Sequence, residues 1–173
     1  MNTLVLGIGN ILMMDEGVGV RAVEELQRRF VFPEGVAILD GGTSGLELLA
    51  HIRDRDFLII IDAVRSGHAP GAVVRIEGDD VPAIFKVRIS PHQLGLSDLL
   101  AAAMLSGSLP GSLVLFGIEP KQVELGLGLS AEVQTGLERL LSVVLPEELK
   151  KVGIDMQPAA EALMSGRSFW DSL

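Results

Sequence analysis

Three side chains that can bind a metal ion each stand close behind an apolar run. Glu16 follows Leu4-Val5-Leu6-Gly7-Ile8-Gly9-Asn10, Asp62 ends Phe57-Leu58-Ile59-Ile60-Ile61, and His92 opens a helix-like segment after Val87-Arg88-Ile89. Two carboxylates and an imidazole make a mixed oxygen and nitrogen donor set suited to a transition metal, with coordination positions left open. If the first two runs are parallel strands, Glu16 and Asp62 emerge at one carboxyl edge, where open α/β sheets bind their ligands. The chain offers no competing nucleophile–base pair. It has no cysteine, and neither Thr43 nor Ser44 has a base nearby in sequence. A helix carrying the HExxH pattern of ordinary zinc proteases is missing as well.

Each of these residues also has a plainer role. Asp15 reads as the N-cap of the first helix, with Glu16 at the first helical position, where an acidic side chain complements the helix dipole. Asp62 at a strand end can cap the next turn, although that is also where α/β enzymes place functional groups. In Ser90-Pro91-His92-Gln93, Ser90 and Gln93 form a capping box and Pro91 takes the favoured first helical position. The box leaves His92 unexplained. A histidine at a helix N-terminus is expected to stay neutral and able to ligate, or else to be an exposed surface imidazole. His51 reads as a surface or packing residue near Arg53 and Arg55, and His68 as a solvated loop residue.

Two glycine-rich turns lie at the same expected edge. Gly7-Ile8-Gly9 resembles a dinucleotide-binding turn but has Leu12 where the third glycine belongs, so a tight turn with positive φ is the simpler reading. Asp40-Gly41-Gly42-Thr43-Ser44-Gly45 follows another strand. Its backbone N–H groups can bind an anion or a carbonyl oxygen, or it is a turn that caps a helix.

The elements that must carry these residues alternate. Strand signals fall at about 3–6, 36–40, 57–62, 72–77 and 112–117. Val20, Val23, Leu26 and Phe30 recur at helical spacing, as do Val133, Leu137, Leu140, Leu141 and Val144, with Pro146 expected to end that helix. A third helix spans 94–105. Runs apolar on both faces suggest strands buried between helix layers, so the pattern is βαβα with a largely parallel sheet.

The 173 residues suit one domain with a sizeable core, and 48% hydrophobic against 21% charged residues marks a globular chain. A net charge of −9 and no basic patch argue against nucleic acid. No apolar stretch nears the roughly 20 residues that span a bilayer, and no basic leader precedes Leu4. The absence of cysteine fits a reducing cytoplasm and leaves the chain no thiolate ligand for a soft metal.

Together these motifs resemble the [NiFe]-hydrogenase maturation endopeptidases, the HybD/HycI/HyaD type of hydrogenase-processing protease. The resemblance rests on Gly7 to Leu12 leading to Asp15-Glu16-Gly17-Val18-Gly19-Val20, on Asp40 to Gly45, on Asp62-Ala63, and on Ser90 to Leu96. It covers about residues 3–145. It implies a single α/β domain, 1–149, with a five-stranded twisted, mostly parallel sheet between helices, and a C-terminal tail, 150–173. That tail holds Phe169 and Trp170 and is expected to be either docked or mobile. The resemblance further implies a cytoplasmic monomer that removes a C-terminal peptide from the nickel-loaded precursor of the hydrogenase large subunit. Glu16, Asp62 and His92 are then the metal-binding residues, Asp40 joins Glu16 and Asp62 as a catalytic acid and candidate base, and the nickel is supplied by the substrate. Other readings are a nucleotide-binding α/β enzyme, a non-catalytic metal-sensing chaperone, and an unrelated peptidase of the same fold.

Overall fold

The computed structural model describes residues 1–85 and 90–159. Val87 to Ile89 and the Phe169-Trp170 pair therefore lie outside the described residues. Five strands form the main sheet: β1 (Thr3–Ile8), β3 (Val36–Gly42), β4 (Phe57–Ala63), β5 (Val73–Glu77) and β6 (Ser112–Ile118), in the order β3-β1-β4-β6-β5. All neighbours pair in parallel except β5, which runs antiparallel to β6 at one edge. A short β2 (Phe30–Val31) makes a separate ribbon with β7 (Gln157–Pro158).

Strand alternation splits the core into two halves, one on each face. From β4, Phe57, Ile59, Ile61 and Ala63 pack on one side with α1 (Val18–Arg29), α5 (Ala131–Arg139) and α6 (Leu145–Lys151). Leu58 and Ile60 face the other side, against α2 (Leu49–Ile52), α3 (Asp80–Ile84) and α4 (Pro91–Leu105). Every residue of β1 and β4 is buried, as strands between two helix layers require.

The chain leaves β1 through α1 to β3 on one side, then returns past β1 to form β4 on the other. The switch point of this doubly wound sheet thus lies between the carboxyl ends of β1 and β4, where such folds open a crevice. Glycine makes the crevice tight. A Cβ on Gly19 would sit 2.1 Å from the Ile61 carbonyl oxygen and 2.2 Å from that of Ile8, and one on Gly7 would sit 2.1 Å from the Gly19 carbonyl oxygen. Only bare backbone lets α1 press this closely on β1 and β4. Gly9 has φ 143°, and a Cβ there would lie 1.9 Å from the Glu16 carbonyl oxygen. The Gly7-Ile8-Gly9 turn is therefore filled by the protein's own chain, where a dinucleotide-binding turn needs open backbone for a pyrophosphate.

Two local expectations are corrected. Pro146 does not end its helix. Residues Leu140–Val144 widen into a π turn and α6 continues to Lys151, with Pro146 in its first turn, where a missing N–H costs little. Residue 149 lies inside α6, and described residues after it, up to 158, pack on the body. Ile154 and Met156 join the core, and β7 pairs with β2. Nor is Asp15 an N-cap. It lies with Glu16 in a 3-10 turn, Met14–Gly17, ahead of α1, whose N-cap is Gly17.

Candidate active site

Glu16, Asp62 and His92 meet at the switch point. Asp62, the sixth residue of β4, is fully buried, and its Oδ1 lies 3.0 Å from His92 Nε2. The other imidazole nitrogen, Nδ1, is 2.8 Å from Ser90 Oγ and 3.6 Å from Glu16 Oε1. The His92 side chain is 2% exposed and that of Glu16 13%. His92 is therefore not a surface imidazole. It is a bridge between two carboxylates.

The first turn of α4 builds this bridge. The capping box forms as expected, with the Ser90 side chain taking a backbone N–H and Gln93 Oε1 accepting the Ser90 N–H at 3.3 Å. Gln93 has a second task, because its Nε2 donates to Asp62 Oδ2 at 3.1 Å and to the Ala63 carbonyl at 2.9 Å. Asp62 Oδ1 also accepts the Ala63 N–H at 2.8 Å. The carboxylate is held at both oxygens before any ligand arrives.

The charges follow from this geometry. Burial pushes the Asp62 carboxyl above its ordinary 3.8, against the lowering pull of His92, Gln93 and the Ala63 N–H. Burial by itself would lower His92. Its hydrogen bond to Asp62 and the charges of Asp62 and Glu16 outweigh that and raise it above 6.5. The neutral imidazole expected from the helix dipole is thus corrected: two carboxylates within 4 Å win over a dipole worth about 0.3–1 kcal/mol. Both shifts run in the direction that favours a proton on the His92–Asp62 pair.

Among the described residues no three His, Cys, Asp or Glu side chains converge on one point suited to a metal ion. The imidazole itself keeps the carboxylates apart, each of its nitrogens facing one of them. The donor types, two carboxylates and an imidazole, are ones that transition metals take. The ring has to turn away from one carboxylate to share an ion with both.

Asp40 stands apart from the three. It lies two residues before the end of β3 and pairs with Gly7, which pairs with Ile61, so it is two strand spacings, roughly 10 Å, from β4. It is exposed, and its Oδ1 accepts the Gly42 N–H at 2.8 Å, closing a turn in which Gly42 has φ 49°. This turn touches the site through glycine, because a Cβ on Gly45 would lie 3.1 Å from the Cα of Gly95 in α4. His51 and His68 are both exposed, and His68 Nδ1 pairs with Ser66 Oγ at 2.9 Å.

A cleft of about 490 Å³ opens on the cluster. Glu16, Ser90 and Gln93 line it together with residues 63–66, Ile84, Phe85, Pro120 and Val123. Its wall beyond β4 is pinned by the buried Glu119, which accepts the Ser66 N–H at 2.6 Å and the Ser66 hydroxyl at 2.7 Å.

Sequence reasoning overlooks Gln93 and Asp15. The capping box accounts for Gln93 locally and hides its amide group. The completely buried Asp15 carboxylate accepts the backbone N–H groups of Lys121, Gln122 and Ser130 and the Ser130 hydroxyl, at 2.7 to 2.9 Å. Burial opposes its charge, and these donors more than offset that, holding it below the ordinary 3.8. Its partners are 106 to 115 residues away, so no local pattern announces them.

A doubly wound sheet with acids and a histidine at its switch point, beside a cleft, defines an α/β enzyme whose solved counterparts are endopeptidases. The hydrogenase maturating endopeptidase HybD from E. coli superposes with a TM-score of 0.88 at 44% identity, covering 93% of this chain and 99% of that one. The [NiFe] hydrogenase maturation protease HybD from Thermococcus kodakarensis gives 0.70 at 31% identity, covering 86% and 99%. The hydrogenase 2 maturation protease of Escherichia coli K12 is 46% identical over 159 residues, 91% of this chain and 96% of its own length. The family model described as hydrogenase maturation protease matches residues 20–147. The chain belongs to the hydrogenase maturation protease family.

Proposed function

We propose that this protease removes the C-terminal peptide from the nickel-loaded precursor of a [NiFe]-hydrogenase large subunit, and that Glu16, Asp62 and His92 read the nickel carried by that substrate. The reading is carried by one observation: two carboxylates flank one buried imidazole, at 3.0 and 3.6 Å, beside a cleft at the sheet's switch point. The nickel is substrate and not a resident cofactor. When present, it supplies Lewis acidity at the scissile peptide.

The protein's own residues do the rest. Gln93 and the Ala63 N–H hold Asp62 in place, so little reorganisation is needed when a cation replaces the shared proton. His92 gives up that proton and turns its ring to ligate. Glu16 approaches the same point. Asp40, exposed and about two strand spacings from β4, is our candidate base in an aspartic-type hydrolysis, a role that requires the incoming chain to reach across β1. We read the protein as a cytoplasmic monomer. Among the described residues no helix is long and apolar enough to cross a membrane.

The test is to incubate the protein with nickel-loaded precursor and to look by mass spectrometry for a released C-terminal peptide. Release by the wild type, and none by Glu16→Gln or Asp62→Asn, is expected. Binding without any change in precursor length favours the metal-sensing chaperone. Thermal stabilisation by NAD or ATP favours the nucleotide-binding reading.

A further inference from the structure

Asp15 is buried, ionisable and next to Glu16, yet it touches none of the three clustered residues. Its two oxygens take four hydrogen bonds from one loop. Oδ1 accepts the Ser130 N–H at 2.7 Å, and Oδ2 accepts Lys121 N–H at 2.9 Å, Gln122 N–H at 2.7 Å and Ser130 Oγ–H at 2.9 Å. Ser130 is the N-cap of α5, and its side chain makes no capping bond. Its hydroxyl serves Asp15 instead. The backbone reinforces the join: the Asp15 N–H donates to the Gln122 carbonyl, the Met14 N–H to the Gly126 carbonyl, and the Gly126 N–H to the Leu12 carbonyl. Met14 sits at φ 49°, a strained conformation for a non-glycine residue that persists only where its surroundings over-determine it. Both joined loops line the cleft, one through Glu16 and the other through Pro120 and Val123.

We propose that Asp15 is a positioning residue that latches the Glu16 loop to the 120–130 loop, and so sets the reach of Glu16 to His92. Its catalytic consequence rests on reading this cleft as the protease site. Its structural consequence does not.

The experiment uses Ser130→Ala and Asp15→Asn in the full chain. Ser130→Ala removes one of the four bonds and leaves the backbone donors. Asp15→Asn puts an amide donor against backbone N–H groups. The imidazole signals of the three histidines are recorded by NMR at one fixed pH, with exposed His51 and His68 as internal controls. In Ser130→Ala the His92 signals should move while those of His51 and His68 stay. Its kcat on nickel-loaded precursor should fall roughly ten- to a hundredfold, the scale set by a misplacement of about 1 Å, with KM changing less. Asp15→Asn should give a larger shift and loss. If it does not fold, Ser130→Ala decides alone. Unmoved His92 signals and wild-type kcat, in a variant whose melting temperature has dropped, overturn the proposal and leave Asp15 a structural brace. Moved His92 signals in a protein that cleaves nothing even as wild type uphold the latch and defeat the protease reading of the cleft.

Discussion

The site depends on one imidazole standing between two carboxylates, and its ionisation couples directly to stability. The folded-state pKa of His92 is raised, so its proton binds more tightly in the folded protein than in the unfolded chain. That contribution is fully present below about pH 6.5 and is lost as pH rises through the raised value. The raised Asp62 acts in the same direction, its stabilising proton leaving as pH climbs from the ordinary carboxylate range through its own raised value. Thermal melts of the metal-free protein should therefore show a melting temperature that declines as pH rises above about 6.5. His92→Ala should abolish processing, cost about 1.5–3 kcal/mol at the acidic end through the lost charge-assisted bond, and cost less at the alkaline end. An equal cost at both ends would show that the proton does not reside on His92. Gln93→Glu asks a separate question. Glutamate keeps an acceptor for the Ser90 N–H but turns an oxygen toward Asp62 Oδ2, now 3.1 Å from an amide donor. Kinetics of peptide release should show a loss of at least tenfold, about 1.4 kcal/mol. Wild-type kinetics would mean that Asp62 needs no fixed orientation.

At the scale of elements, glycine decides how closely α1 approaches β1 and β4. Gly19→Ala must push the helix off two backbone carbonyls, since neither the Ile61 nor the Ile8 oxygen can rotate away as a side-chain tip could. A loss of about 3 kcal/mol or more in denaturant melts is expected, with processing lost in whatever remains folded, because Glu16 rides on the same segment. Wild-type stability would show that the helix has room this geometry denies it. Across the sheet, Arg75 of β5 makes a bidentate pair with the buried Glu148 of α6, at 2.9 and 2.8 Å. Arg75 depresses the Glu148 carboxyl below its ordinary 4.5, so this clamp stabilises above that range and fails as pH falls through the depressed value. Glu148→Gln should cost about 1–3 kcal/mol at neutral pH, as read in urea melts, and leave cleavage rates unchanged. Slower cleavage would tie the antiparallel edge to the site.

At the scale of the whole molecule, what the sequence makes legible and what it hides divide by contact range. Short, continuous apolar runs and helical spacing locate the strands and main helices, because those signals lie within a few residues of one another. The metal-capable trio is legible because each member sits beside an element end. The adjacency of His92 and Asp62, 30 residues apart, follows once both ends meet at one sheet edge. Asp15 is misread as a cap because its partners lie across the fold, and Gln93 is half read because one end of its amide bonds locally while the other reaches β4. His92 is read as neutral because the dipole of its own helix is visible in sequence and the two facing carboxylates are not. Pro146 is read as a stop because no sequence signal marks the π turn that lets the helix run through it. These features together form one device. A rigid α/β frame brings two acids to a histidine and holds one acid by a glutamine, and in the function we propose the substrate's own metal completes the site.

The central claim is that the cluster reads nickel in the substrate, and the most direct test holds the protease constant while changing only the precursor. Nickel-loaded and nickel-free forms of the same large-subunit precursor are incubated with the wild-type protein, and the C-terminal peptide is quantified by mass spectrometry. Release from the loaded form alone is the predicted result. Equal release from both forms would contradict the account, reducing Glu16, Asp62 and His92 to a metal-independent hydrolytic site.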